Sequence, residues 1–256
     1  MPPVIPVPAA TILMLRDGPT GLEVFMVVRH HQIDFASGAL VFPGGKIDPG
    51  DYEARDYCAH ADSINNDHLA LQVGAIREAF EECGILLARD WAGELIEGKR
   101  LSQLESHRDQ LNNSDISIAQ FLHDEELILA CDLLQPFSHW VTPSMMPKRF
   151  DTHFYLAEAP EDHVAVHDGH ESVDSIWISP TDVLEGAKEG KYTVILPTRL
   201  NVKMLGESET LDQAMSMARD RTIVTVEPWT EERDGVKYLC IPPEAGYSIS
   251  EEKLEF

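Results

Sequence analysis

LVFPGGKIDPGD, residues 40–51, and AIREAFEECGIL, residues 75–86, decide how this chain is read. The first is a short apolar run entering a glycine turn. Gly44 and Gly45 carry no Cβ, so the backbone there approaches a ligand closely and offers amides and carbonyls without obstruction. Asp51 adds a carboxylate at the end of the loop. The second stretch reads as a helix over 67–83, capped by Asn66 or Asp67 and stopped by Gly84. Successive helix residues rotate by about 100°, so Glu78, Glu81 and Glu82 share a face. Leu69, Val73, Ile76 and Phe80 form the opposite, core-facing stripe, with Leu71 as its exception. Gly74 lies on the glutamate side, where a missing side chain lets a loop come near.

Three carboxylates this close repel one another unless a cation sits among them. Hard ions such as Mg²⁺ or Mn²⁺ suit them, because these prefer oxygen ligands and retain waters and substrate phosphates. Taken singly, each half has an ordinary reading too. The helix resembles a solvated acidic face with Arg77 as a local partner, and the glycine turn resembles any strand-to-loop turn.

Taken together, the two stretches resemble the Nudix hydrolase box, G-x5-E-x7-R-E-U-x-E-E-x-G-U, where U is a bulky apolar residue. Gly45 opens it, Asp51 stands where glutamate is usual, and Arg77, Glu78, Glu81, Glu82, Gly84 and Ile85 follow in order. Ala79 is small where a bulkier residue is usual. Between Asp51 and Arg77 lie 25 residues, 52–76, where the pattern has seven, so 18 extra residues interrupt the box. That interruption resembles the Nudix branch that includes animal peroxisomal coenzyme A diphosphatases. SGALVFPGGKIDPGD (37–51), HWVTPSMMPKRFDTHFYLA (139–157), ESVDSIWISPTDVLE (171–185) and LPTRLNVKML (196–205) extend the likeness over residues 8–205. One departure concerns substrate: coenzyme A-cleaving relatives often place an Arg four residues before a glycine equivalent to Gly38, and here Asp34 stands there. Arg29, further upstream, is the replacement on offer.

The resemblance implies an α/β fold, a Nudix-type α/β/α sandwich with a central mixed sheet. The expected organisation is a hydrolase domain over 1–205, with an insertion within 52–76 and a helical insertion over about 92–131. Residues 206–256 would form a C-terminal extension packed on the same domain. The implied reaction is hydrolysis of a nucleoside diphosphate derivative at its diphosphate, with coenzyme A or an acyl-coenzyme A first in line. ADP-ribose or a dinucleotide is the alternative, and an inactive nucleotide-sensing module the third reading. The complete set of box glutamates argues against that third reading.

The implied site follows residue by residue. Glu78, Glu81 and Glu82, with the Gly45 carbonyl, would bind one to three Mg²⁺ or Mn²⁺ ions. Arg77 would hold a glutamate in place, and Asp51 would pair with Arg77 or assist at the metal. Gly44, Lys46, Arg29 and Arg149 are the substrate-binding candidates, with Lys148 as a further nearby cation. Glu78 leads as general base; the alternative lies at 159–171, where Glu161, His163, His167, His170 and Glu171 gather.

Bulk properties bound the rest. The chain has 256 residues, 43% apolar, which suffices for a core. Its 44 acidic and 20 basic residues give a formal charge of −24, which opposes long-range attraction to nucleic acid or anionic lipid. The expected partner is a small nucleotide, with no nucleic acid, no membrane, and a homodimer admissible. Cys58, Cys83, Cys131 and Cys240 form no CxxC pair and read as reduced thiols; with no leader-like or membrane-spanning run, the cytoplasm is the expected compartment. Residues 9–15 and 22–29 read as adjacent strands, and 149–157 as a half-buried strand with a period of two. Helical stretches are expected at 198–206 and 208–219. The segments TIVTVEPW and VKYLCIPP then form a hairpin turning at Asp234-Gly235.

Overall fold

A computed structural model describes residues 4–29, 39–163 and 172–254. Its spine is a mixed sheet begun by β1 (Val7–Gly18), β2 (Gly21–Arg29), β3 (Leu40–Val41) and β4 (Gly44–Lys46). A small pair, β5 (Ala88–Arg89) with β6 (Ile128–Leu129), lies outside it. β7 (Gln135–Val141), β8 (Phe150–Glu158), β9 (Ser172–Ile178) and β10 (Thr225–Val226) complete it. The order is β10-β7-β8-β1-β2-β3, with β4 on β1 and β9 on β2. β1 runs parallel to β8 and antiparallel to β2.

β1 shows why this is a three-layer sandwich. Ile12 and Met14 enter one core while Leu13 and Leu15 enter another, and all four are fully buried. A strand buried on both faces needs helices on both faces. One layer is α1 (Asn66–Cys83) with the short helices α2 (Gly98–Leu104), α3 (Ser106–Asn112) and α4 (Ile118–Asp124). Phe80 of α1 stacks on Phe121 of α4 at 5.6 Å, which fastens the 92–131 region to the helix carrying the glutamates. That region is less helical than expected, since it ends in β6 and a 3₁₀ turn. The other layer is α5 (Pro180–Lys188), α6 (Leu196–Leu205) and α7 (Leu211–Asp220).

Four expectations change once the chain is folded. β8 is partly buried over its first four residues, but Phe154 to Ala157 are all buried, Tyr155 and Ala157 in the α1 core, Phe154 and Leu156 in the α6–α7 core. Leu71 does not break the helix pattern, because it too enters the α1 core. The helix cap lies one residue earlier than expected, where the Asn65 side chain accepts the His68 amide at 2.9 Å. The tail segment TIVTVEPW is two strands. Thr225 and Val226 join the main sheet beside β7, and after Pro228 the strand β11 (Trp229–Arg233) pairs with β12 (Val236–Cys240). The turn between them has Asp234 and Gly235 at positive φ, 53° and 77°, as a tight two-residue hairpin requires. β13 (Glu251–Lys253) completes that second sheet. Tyr247 receives the Trp140 indole N–H at 2.8 Å and donates to Asn201 at 2.7 Å, so the tail is bonded to β7 and α6. Among the described residues, no helix is long and apolar enough to cross a membrane.

Candidate active site

The two halves of the interrupted box meet at the end of β1. Ala9, Ala10 and Thr11 pair with Lys46, Gly45 and Gly44 of β4. Gly44 has φ +155°, and a Cβ there would lie 2.4 Å from the Ala10 carbonyl oxygen, so only glycine lets these strands come together. The Gly44 amide then donates to Glu82 Oε2 at 3.1 Å, across 38 residues of sequence. At Gly45 a Cβ would sit 2.4 Å from Glu78 Oε1, so that carboxylate rests directly on the glycine backbone.

The interrupting residues leave and return without parting these halves. After the turn at Asp48, where the Asp48 amide donates to Asp51 Oδ2 at 2.8 Å, the chain makes 3₁₀ turns over Pro49–Glu53, Arg55–Tyr57 and Ala61–Ser63. Ala54 is fully buried, and Arg55 donates to the carbonyls of Ala61 and Ile64 at 2.5 and 3.2 Å. Gly74 provides the clearance on α1: a Cβ there would lie 2.5 Å from Ile47 Cδ1 and 3.1 Å from Asp51 Oδ2.

Arg77 is the centre of the arrangement. Its Nε and Nη2 donate to the two oxygens of Asp51 at 2.9 and 3.1 Å, and its Nη1 to Glu78 and Glu81 at 3.0 Å each. Nη2 also donates to the Lys46 carbonyl at 2.8 Å, which ties the helix to the glycine strand. Burial by itself disfavours the guanidinium charge, but Glu78, Asp51 and Glu81 around it hold the charge in place and raise its pKa. Burial pushes the Asp51 carboxyl upward against the pull of Arg77. Burial also raises Glu81, to about 7, against the pull of Arg77 and with the charges of Asp51 and Asp48 adding to the rise.

Glu81 also tests whether these residues suit a cation. Its Oε2 is bonded to Arg77, while its Oε1 is buried and has no hydrogen-bond partner. An orphaned carboxylate oxygen beside two further carboxylates is the donor set that Mg²⁺ or Mn²⁺ accepts. Arg108, buried on α3, donates to the Glu81 carbonyl at 3.3 and 3.1 Å and closes the C-terminal end of α1. The sequence reading missed it, since an arginine inside a polar helical stretch carries no local mark.

Arg77, Glu78 and Glu81 line a cleft of about 1180 Å³ together with Gly44, Gly45, Lys46 and Asp48. Its lining is also apolar, with Phe42, Trp140, Met145, Met146, Phe150 and Phe154, and Lys148 among them. Pro228, Thr230 and Leu239 of the C-terminal segment contribute as well. Of the other expected site residues, Arg149 does not line the cleft. It is buried, donates to the carbonyls of Thr142 and Val4 at 2.9 and 2.8 Å, and pairs with Glu227 at 2.7 Å. Alternation along β8 turns it off the cleft, leaving Phe150, Thr152 and Phe154 on the wall. Arg29 ends β2, but its side chain lies outside the described residues, as do Asp34, Gly38, His167, His170 and Glu171. His163 Nε2 is engaged by the Ile96 carbonyl at 3.0 Å, and Asp162 accepts the Gly98 amide at 2.5 Å.

Comparison with known proteins agrees with this fold. Residues 54–204, more than half of the chain, match the model of the NUDT19 Nudix domain. A Caenorhabditis elegans protein provisionally named nudix hydrolase 7 is 23% identical over 236 residues, 92% of this chain and 73% of its own. The acyl-coenzyme A diphosphatase NUDT19 of Xenopus laevis is 25% identical over 250 residues, 81% of this chain and 66% of its own. The chain therefore spans about two thirds to three quarters of these relatives. Among solved structures, a NUDIX hydrolase from Alicyclobacillus acidocaldarius is similar, with TM-score 0.69 and 29% identity over 83% of this chain and 96% of its own.

Proposed function

The chain belongs to the NUDT19 Nudix domain family, and from that premise we propose that it cleaves coenzyme A or an acyl-coenzyme A at the diphosphate, in a reaction dependent on Mg²⁺ or Mn²⁺. It is a Nudix diphosphatase; the substrate, the metal and the residue roles are our reading. The observation that carries it is the contact of both box halves beside one cleft: Glu78 on Gly45, Glu82 on the Gly44 amide, and Glu81 with an orphaned oxygen.

A divalent ion held by Glu78, Glu81, Glu82 and the Gly45 carbonyl supplies charge neutralisation on the phosphoryl oxygens and a more acidic water. Arg77 keeps Glu78 and Glu81 from turning away, and Asp51 fixes Arg77 through its two-pronged bond. Glu78, the least buried of the three carboxylates bonded to Arg77, takes the proton of the attacking water. Lys46 and Lys148 meet phosphate charge, and Arg29 is assigned to the substrate's 3′-phosphate. The apolar wall around Trp140 and Met146 receives the pantetheine arm and any acyl chain. The products are 3′,5′-ADP and a 4′-phosphopantetheine.

The test is a panel of coenzyme A, an acyl-coenzyme A, ADP-ribose and a diadenosine polyphosphate with Mg²⁺ and with Mn²⁺, products read by mass spectrometry. Coenzyme A or its acyl form is expected to show the highest kcat/KM. Glu81→Gln and Glu82→Gln are each expected to lower turnover by orders of magnitude at unchanged fold. A kcat/KM for ADP-ribose or the diadenosine compound tenfold above that of coenzyme A, about 1.4 kcal/mol in transition-state binding, would overturn the substrate assignment. Asp34, at the position where relatives carry Arg, is the residue that favours such an outcome.

A further inference from the structure

A second group of ligand-type side chains lies on the α1 side of the sheet, behind the strands whose other face forms the apolar lining of the cleft. His139 of β7 and His153 of β8 are directly opposite one another in the antiparallel ladder, and Asp151 precedes His153 by two residues on the same face. Their neighbours Trp140 and Thr152 line the cleft, so strand alternation directs the histidines and Asp151 away from it. One donor atom from each of the three residues lies within 4.8 Å of the others. The two imidazoles stack with centroids 3.9 Å apart, and Asp151 Oδ1 contacts His139 Nε2 while lying 3.9 Å from His153 Nε2.

We propose that His139, Asp151 and His153 form a site for a borderline transition metal of the Zn²⁺, Co²⁺ or Ni²⁺ class, separate from the Mg²⁺ or Mn²⁺ cluster of the box. Two imidazoles with one carboxylate are the donors such ions accept, whereas the all-oxygen box suits harder ions. The donors come from two paired strands, so little chain ordering is needed to bring them together. Ligand bonds of about 2.0–2.1 Å set neighbouring donor atoms about 3.3 Å apart, so Asp151 draws back from His139 Nε2 while His153 moves in, shifts on the order of an ångström that side-chain rotation supplies. His139 is already oriented, because its Nδ1 lies 2.8 Å from Thr225 Oγ1, leaving Nε2 for the ion. His68, in the first turn of α1, stands beside the group with its ring 6.0 Å from that of His153. From His68 to Glu78 and Glu82 is roughly 15–21 Å along the helix, so the two sites do not share an ion. An ion here would pin β7 to β8 behind the wall of the cleft.

The test uses the full chain, stripped by chelator and titrated with Co²⁺ followed by visible absorption, then with Zn²⁺ in competition. Wild type is expected to bind one equivalent with a nitrogen-ligand spectrum, and Zn²⁺ to displace it. Glu81→Gln with Glu82→Gln should leave that spectrum intact. His139→Gln and His153→Gln should each weaken it by roughly tenfold or more. Should a histidine variant fail to fold, histidine NMR of the wild type serves instead, with the His139 and His153 ring resonances expected to shift on addition of Zn²⁺. Absence of that spectrum in the wild type, or its loss in the glutamate variant with retention in the histidine variants, overturns the site.

Discussion

Arg77 and Arg149 are almost equally buried, 5% and 7% exposed, and both are held by carboxylates, yet only one belongs to the cleft. Arg77 faces three carboxylates, those of Asp51, Glu78 and Glu81, and one carbonyl. Arg149 faces one, that of the half-exposed Glu227, and two carbonyls. The first arrangement carries surplus negative charge and calls for another cation. The second is balanced within itself and ties the start of the chain, β8 and the tail together. What separates a binding centre from a structural clasp here is the charge left over, not the burial of the arginine.

The largest expected effect follows from that surplus. Arg77→Met leaves three neighbouring carboxylates without their guanidinium, and losing one partner of a buried ion pair costs about 3–5 kcal/mol. Activity should vanish with it. Arg149→Met leaves Glu227, which water can reach, and the carbonyls of Thr142 and Val4, so a cost of about 1–3 kcal/mol is expected. Its kcat/KM per folded molecule should stay within about threefold of wild type, less than 1 kcal/mol in transition-state binding. Denaturant titration and steady-state kinetics on both variants read this directly. A tenfold rise in KM for Arg149→Met at unchanged stability would break the comparison and return Arg149 to the substrate.

The paired glycines sharpen the same contrast one step lower in size. A methyl on Gly44 meets backbone, the Ala10 carbonyl at 2.4 Å and Thr11 Cα at 2.7 Å, and neither can move aside. A methyl on Gly45 meets first the side-chain end of Glu78, at 2.4–2.6 Å, rather than backbone. Gly44→Ala is therefore expected to lower the melting temperature, while Gly45→Ala keeps it within a few degrees and loses kcat by roughly tenfold to a hundredfold as Glu78 is displaced. Equal melting temperatures for the two variants would show that β4 yields more readily than its pairing with β1 indicates.

These contrasts also show what a sequence can reveal. The span of α1, the shared face of its glutamates and the interruption of the box were legible, because period and spacing are local properties. The mixed three-layer sandwich was legible through resemblance. The role of Arg149 was not, since its partners Val4 and Glu227 are 145 and 78 residues away. Nor was the burial of both faces of β8 at Phe154–Ala157, which depends on α1 and α6–α7 covering opposite sides. Arg108 was hidden for a similar reason: it acts on the carbonyl of Glu81, 27 residues earlier, through a loop path that no periodicity encodes. The cleft's contribution from Pro228 and Leu239 likewise appears only once the tail has folded back.

The smallest expected effect reads the surplus charge as a dependence on pH. Glu81 titrates near 7 in the metal-free fold against 4.5 for an ordinary glutamate, because burial disfavours its charge. Between those values the folded chain holds a proton that the unfolded chain has released, so this group favours the fold most below about pH 4.5 and loses that contribution as pH rises through about 7. In chelator-treated protein, the stability difference between wild type and Glu81→Gln should therefore shift against wild type from pH 5 to pH 7.5. Saturating Mg²⁺ should reverse the shift, since a cation stabilises the carboxylate and competes with the proton. Melting curves of the two proteins across that range, with and without Mg²⁺, supply the measurement. Parallel curves would mean that Glu81 is already ionised in the empty fold, and that Arg77 meets the demand of all three carboxylates alone.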